Sequence, residues 1–277
     1  MVIDDVLVFG AELDGLRRLA SLPRPKVTIR AEDLPGASCL WEGNTSGGHR
    51  DAVRLVPGTG VPLEEVLRAV RESRRRTPGG HLELRGVGAS FDSTAVSLLH
   101  SLSARRDIEG PHTMMALDLR GLGDLAELPS GLTATVATDA ESLAHLRSVV
   151  GQVYTGADAA EATEADHEAD FYHAPGTMTY LAVSEQGQVV STGSILIVEC
   201  VANIWSVATL PTARGRGAAS AVIRAACNAA RAQGSLIAAL RTTEDLARTD
   251  GLYEMLGFSV VGHEHAWNLD DIDDLTI

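Results

Sequence analysis

Cysteine is scarce in this sequence. The 277 residues include only Cys39, Cys200 and Cys227, an odd number with no CxxC pair. Neither a disulfide framework nor a cysteine zinc site is indicated, no metal is expected, and all three are read as small core residues. Long apolar runs are lacking too. Stretches such as Ser194 to Val198 and Leu236 to Leu240 are far shorter than the ~20 residues a membrane span requires. The opening "MVIDDVLVFGAELDG" has no basic flank of the kind a secretory signal carries. These absences lead to the expectation of a soluble, cytoplasmic protein with no membrane partner. Positive charge is also in short supply: 23 Lys and Arg face 37 Asp and Glu, a net charge of −14. That balance argues against a protein that coats nucleic acid, whose binding depends on neutralising phosphates, and suits a cationic partner better.

A hydrophobic content of 45% over this length can bury a sizeable core, in two domains or one large one. In the first half "VLVFG" and "KVTIRA" read as strands, and Val61 to Arg75 as a helix, because Leu63, Val66, Leu67 and Val70 fall at helical spacing. "HLELRGV" alternates like a strand, Asp92 opens a helix expected through Ser103, and "HTMMALDL" is a further strand. Turn formers in "GLGDLAELPSG", Gly121 to Gly131, mark a linker. The expected domains are therefore residues 1–125 and 132–277.

The second half alternates more clearly. Asp139 begins an amphipathic helix bearing Leu143, Leu146, Val149 and Val150, with Glu141 near the favourable end of its dipole. After an acidic stretch come the strands "TYLAVSE" and "VVSTGSILIVE", separated by the turn "QGQ", and then "NIWSVATL". An alanine-rich helix, the strand "SLIAALRT", a helix "DLARTDGLYEML" and a last strand "SVVGHEHAWNL" follow. The implied fold class is α/β, with helices covering a mixed sheet.

"SVATLPTARGRGAASAVIRAACNAARAQG", Ser206 to Gly234, is the most informative stretch. Helix N-termini leave backbone N–H groups unpaired and carry partial positive charge, so glycines that admit an anion to the backbone make a phosphate seat. Gly215 and Gly217 supply access, Arg214 and Arg216 add full charges, and Arg224, Asn228 and Arg231 share the polar face of the following helix. An ordinary surface loop is the plain alternative for a short motif taken alone. Neither the GxGxxG of a dinucleotide-binding turn nor the GK[ST] of a P-loop is present.

"LPTARGRGAA" followed by a helix, a strand and "GLYEMLGF" resembles the GNAT superfamily of acyl-CoA-dependent N-acetyltransferases, over roughly Leu132 to Leu269. Arg214, Gly217 and Ala219 fill the fixed places of that family's cofactor loop, and Leu252, Tyr253, Gly257 and Phe258 match its Leu-Tyr-x-x-x-Gly-Phe context. The resemblance implies that acetyl-CoA binds through Arg214, Gly215, Arg216, Gly217, Ala218 and Ala219. It also implies that the strand before the loop splays, so that Val207, Ala208 and Thr209 face the pantetheine arm as an added strand would. Tyr253 would protonate the departing thiolate, since a phenol of pKa about 10 is protonated at neutral pH. Its plain reading is a buried tyrosine whose hydroxyl finds a partner.

Many relatives use a glutamate base on the strand before the loop. Here Glu199 is two residues short of the expected place; a bulge would restore the match, and a solvated strand-end carboxylate is the other reading. His173, His263 and His265 are of a residue type used for proton transfer near neutral pH, but none has a visible partner in sequence. The asparagine that often precedes the family's tyrosine is missing, with Thr242 and Thr243 standing in that region. Six acids between Asp158 and Asp170, with no Lys or Arg, offer Asp166, Glu168 or Asp170 to a cationic amine, or form only a solvated face.

The first half repeats the strand, helix, strand order without the LYxxxGF signature. It reads either as a degenerate copy of the same fold or as an unrelated α/β domain. "PGTGVPLEE" lacks arginine and adds Glu64 and Glu65, so one cofactor per chain is expected. The leading function is an N-acetyltransferase acting on an amine. A non-catalytic acyl-CoA-binding or regulatory protein is the alternative, and a basic-patch nucleic-acid binder is opposed by the acidic balance.

Overall fold

The computed structural model describes residues 3–20, 27–44, 49–74, 81–106, 111–122, 131–154, 177–184, 186–243 and 251–269. Its elements begin with α1 (Asp5–Ala20), β1 (Val27–Leu34), β2 (Ala37–Asn44), β3 (His49–Leu55), α2 (Leu63–Arg74), β4 (His81–Val87), α3 (Ser93–Ser101), β5 (Arg105–Arg106) and β6 (His112–Asp118). They continue with β7 (Leu132–Val136), α4 (Ala140–Tyr154), β8 (Thr177–Ser184), β9 (Val189–Val198), β10 (Val201–Thr209), α5 (Ala218–Ala232), β11 (Ile237–Thr243), α6 (Leu252–Met255) and β12 (Ser259–Leu269). The chain divides into two compact units: Met1–Met114 with Thr242–Asp250 and Val260–Ile277, and Met115–Arg241 with Gly251–Ser259. Most of the linker expected at Gly121 to Gly131, residues 123–130, lies outside the described residues.

In the first unit, "VLVFG" is helical, not a strand. Asp4 caps α1, its carboxylate accepting from Leu7 N at 2.9 Å, and Val8, Phe9 and Leu13 are buried at a helical spacing that a five-residue apolar run conceals. Strands β1, β2 and β3 form an antiparallel meander. From β3 the chain crosses through α2 to β4, which pairs parallel with β3 from Arg50↔His81 to Arg54↔Arg85. Asp92 caps α3 by accepting from Ala95 N at 2.8 Å, as its residue type requires. The far strand β12 lies antiparallel to β4, from Glu264↔Val87 to Leu269↔Leu82, so the order is β1-β2-β3-β4-β12.

Side chains alternate across this sheet. Val53, Leu55, Leu82, Leu84, Trp267 and Leu269 meet α2 and α3 in one apolar core. The intervening positions carry buried charge. Glu264 accepts from Arg54 Nη1 and from Arg85 Nη1, each at 3.0 Å, Glu83 accepts from Arg85 Nη2 at 2.5 Å, and Glu12 of α1 lies 3.4 Å from Arg54 Nη1. Buried charges survive only when paired in this way.

The second unit has the order β11-β10-β9-β8-β7. Strands β7 to β10 pair antiparallel in sequence, and β10 crosses through α5 to the parallel β11. Helix α4 begins at the Asp139 cap, whose Oδ1 accepts from Ser142 N at 2.8 Å. Helix α5 buries Ala221, Val222, Ile223, Ala226, Cys227 and Ala230 and packs on β8, β9 and β10, while α4 packs on β9 and β10. The fold is a mixed sheet flanked by helices, as the sequence implied. Of the helix expected over "DLARTDGLYEML", residues 244–250 lie outside the described residues, and Gly251, at φ 54°, caps the short α6.

Candidate active site

The end of β10 is where the second unit opens. Its parallel register with β11 runs from Val201↔Ile237 to Ile204↔Leu240 and stops, although β10 continues to Thr209 and β11 to Thr243. Over the same stretch β10 bulges against β9 between Trp205 and Ala208, with Ser206 at φ 50°. A bulge of this kind re-aims the backbone and bends the strand. Past the bulge, pairing to β9 resumes with Ala208↔Thr192 and Thr209↔Ser191.

The three residues expected to face an extended ligand are thereby differentiated. The Ala208 carbonyl turns to β9, where Ser191 Oγ donates to it at 2.8 Å. The Thr209 carbonyl instead accepts from Arg214 Nε at 3.4 Å, so it faces the loop. Val207 packs over Gly193: a Cβ on that glycine would lie 3.4 Å from Val207 Cγ2 and 2.7 Å from Val222 Cγ1 of α5. Only a residue without a side chain lets the helix ride this close to the strand.

Between β10 and α5 the chain makes a short turn at Pro211–Ala213 and then reaches Arg214 to Gly217. Gly215 and Gly217 have φ of 72° and 80°, a left-handed backbone that glycine adopts without steric cost. Arg214 and Arg216 are exposed. Gly217 is the N-cap of α5 and provides no side-chain hydrogen bond, so the first amides of a helix of 15 residues, beginning at Ala218 and Ala219, have no side-chain cap. Unpaired amides, the positive end of the helix dipole and two guanidinium groups converge on one loop, which fits a diphosphate.

Tyr253 belongs to the same unit. It is half-buried on α6, with its ring edge-on to Phe258 at 6.1 Å. The turn that follows is fixed by Phe258 N donating to Tyr253 O at 2.9 Å. Gly257, at φ 92°, lies close under Leu117, whose Cδ1 would be 3.2 Å from an added Cβ. The glycine and phenylalanine of LYEMLGF thus have local structural work: one permits the turn and the other, 3% exposed, anchors it.

Glu199 is not brought to this site. It lies exposed in the two-residue turn between β9 and β10, at φ 51°, while the loop begins at the other end of β10. At ~3.3 Å per residue the strand separates them by roughly 30 Å. His263 and His265 lie on β12 in the first unit. Burial, with Arg106 and His263 nearby, holds the His265 imidazole below its ordinary pKa, and Arg106 Nη2 approaches its Nδ1 at 2.5 Å. Thr242 is buried and Thr243 half-buried at the end of β11. Asp166, Glu168, Asp170 and His173 lie outside the described residues. Sequence reasoning passed over Ser191 and Gly193, which brace the splayed strand from β9; a serine and a glycine inside "VVSTGSILIVE" are the only signal it could have used. No cluster of metal-ligating side chains occurs among the described residues, and no described helix is long and apolar enough to cross a membrane.

Residues 146–258 match the model of the acetyltransferase (GNAT) family. No curated relative matches the sequence. Among solved structures, a GCN5-related N-acetyltransferase from Kribbella flavida is 19% identical, with a TM-score of 0.68 over 95% of this chain and 94% of that one. A tandem GNAT protein from the clavulanic acid biosynthesis pathway, without AcCoA, is 15% identical, with a TM-score of 0.64 over 95% of each chain. A GCN5-related N-acetyltransferase from Sphaerobacter thermophilus is 17% identical, with a TM-score of 0.59 over 86% of this chain and 81% of that one. The stretch holding the splayed strand, the glycine-arginine loop and Tyr253 is thus a domain of the acetyltransferase (GNAT) family, on a fold that these solved proteins share.

Proposed function

We propose that this protein is an N-acetyltransferase that moves an acetyl group from acetyl-CoA to a primary amine by direct attack within a ternary complex. The observation that carries this reading is the α5 N-terminus, which has no side-chain cap and is entered through Arg214, Gly215, Arg216 and Gly217 at the end of a strand that parts from its neighbour. Acetyl-CoA supplies the activated thioester. The loop amides of Gly217, Ala218 and Ala219, with both arginines, hold its diphosphate. Val207 and Thr209 present the splayed edge to the pantetheine amides, in the manner of strand addition; the Ala208 carbonyl is committed to β9.

The reaction needs no covalent nucleophile. The acceptor first sheds its ammonium proton to water. The amine nitrogen then forms a bond to the acetyl carbon, the carbon–sulfur bond breaks, the second nitrogen proton leaves to water, and Tyr253 gives its phenolic proton to the departing sulfur and regains one from solvent. The net charge of −14 favours a cationic acceptor. Its first unit is a second copy of the same fold: β3, α2 and β4 repeat the parallel crossover of β10, α5 and β11. There the parallel register extends to Arg54, one residue short of the strand end at Leu55, and the first turn of α2 carries the acids Glu64 and Glu65 where a phosphate site would need positive charge. One coenzyme per chain follows.

Incubation with acetyl-CoA and a panel of amines, following free thiol, tests the activity, and calorimetry with coenzyme A counts the sites. Heat at one site without thiol release from any amine would leave a non-catalytic acyl-CoA-binding protein. No heat at all would overturn both readings.

A further inference from the structure

We infer that Ser191, on β9, is a positioning residue for the cofactor loop, a role that rests on the function proposed above but is visible in the free protein as well. The parallel register of β10 with β11 ends at Ile204, and the bulge between Trp205 and Ala208 interrupts the ladder to β9 before it resumes at Ala208 and Thr209. The Ser191 side chain adds to the ladder at the point where it resumes. It is fully buried, donates to the Ala208 carbonyl at 2.8 Å and lies 2.8 Å from Thr209 Oγ1.

A serine hydroxyl has one proton. With that proton on the Ala208 carbonyl, the Thr209 hydroxyl must be the donor in the second bond. The order is then Thr209 Oγ1–H to Ser191 Oγ–H to Ala208 C=O, a short chain whose members polarise one another. It fixes the backbone of both residues. With the Ala208 carbonyl held on the β9 side, the Thr209 carbonyl faces Arg214, whose Nε reaches it at 3.4 Å. Ser191 therefore sets the direction from which the loop departs. Gly193, on the same face two residues later, brings Val222 of α5 against the same strand, so that one stretch of β9 braces the splayed edge and the helix together.

The test combines Ser191→Ala, Thr209→Val and the double variant. Ser191→Ala should weaken coenzyme A binding about three- to tenfold, the range a net hydrogen bond supports, raise KM for acetyl-CoA by the same factor and leave KM for the amine unchanged. Because the two hydroxyls act as one chain, the double variant should bind no worse than the weaker single variant. In the free protein, amide exchange over residues 206–217 should quicken in Ser191→Ala while the midpoint of global thermal unfolding moves little. Unchanged exchange over that segment, or quickening shared by the whole unit, would overturn the proposal. If the unsubstituted protein bound no coenzyme A, the proposed function would fall, and the exchange data would still decide the role of Ser191.

Discussion

Tyr253 and Cys227 show how little of a residue's chemistry is in its type. Tyr253 is half-buried in a turn held by Phe258 and Gly257; in the proposed role of proton donor it should matter to turnover and little to cofactor binding. Tyr253→Phe is expected to lower kcat about a hundredfold or more, with the coenzyme A dissociation constant unchanged in calorimetry. Cys227 faces the opposite situation, since burial within α5 pushes its thiol up to about 12. At pH 8 about one molecule in ten thousand carries the thiolate there, so a thiol reagent should label the half-buried Cys200 and leave Cys227 intact until the protein unfolds. A pKa raised on folding means that the native state holds this proton more tightly. The associated stability is complete below the unfolded value near 9 and declines as pH rises towards 12, a trend that Cys227→Ala should lessen in an alkaline unfolding series, with the buried Tyr180, also raised, supplying the remainder.

Among the elements, β9 and α5 meet at the tightest approach. Adding a methyl at Gly193 would set a carbon 2.7 Å from Val222 Cγ1, so Gly193→Ala should cost about 1–3 kcal/mol through overpacking, read as a lower urea midpoint at unchanged slope. Helix α5 and its loop were legible in sequence because every cue there is local: a glycine pair, a proline, and an alanine-rich run with helical periodicity. Helix α1 was not, because "VLVFG" satisfies a strand and a helix equally until Leu13 completes the turn. Strands β2 and β3 escaped notice altogether. Their sequences "ASCLWEGN" and "HRDAVRL" mix charges into the apolar run, and in β3 the mixing has a cause: Arg54 turns to the buried ion cluster while Val53 and Leu55 turn to the apolar core.

At the scale of the whole molecule, Glu264 is the residue whose removal should be felt most. It is fully buried between Arg54 and Arg85; taking it away leaves two guanidinium groups in the interior short of an acid, and Glu264→Ala should destabilise the first unit by about 3–5 kcal/mol, measured by denaturant unfolding. A fragment of residues 132–277 carries β12 without β4 and should expose the β12 edge that β4 covers, with the self-association that such an edge invites. None of this was legible beforehand. Which partner a terminal strand chooses is set by register across 180 or so residues of intervening chain, information that no window of periodicity contains.

The pairing of β12 with β4 also fixes an order of events during synthesis. A growing polypeptide halted before Val260 has made β3 and β4 and has buried neither Arg54 nor Arg85 against Glu264, so the N-terminal sheet stays one strand short while the ribosome works through the remainder of the message. Maturation of the first unit thus waits on codons far downstream of those for β4, and a premature stop before Val260 would injure the first unit as much as the second.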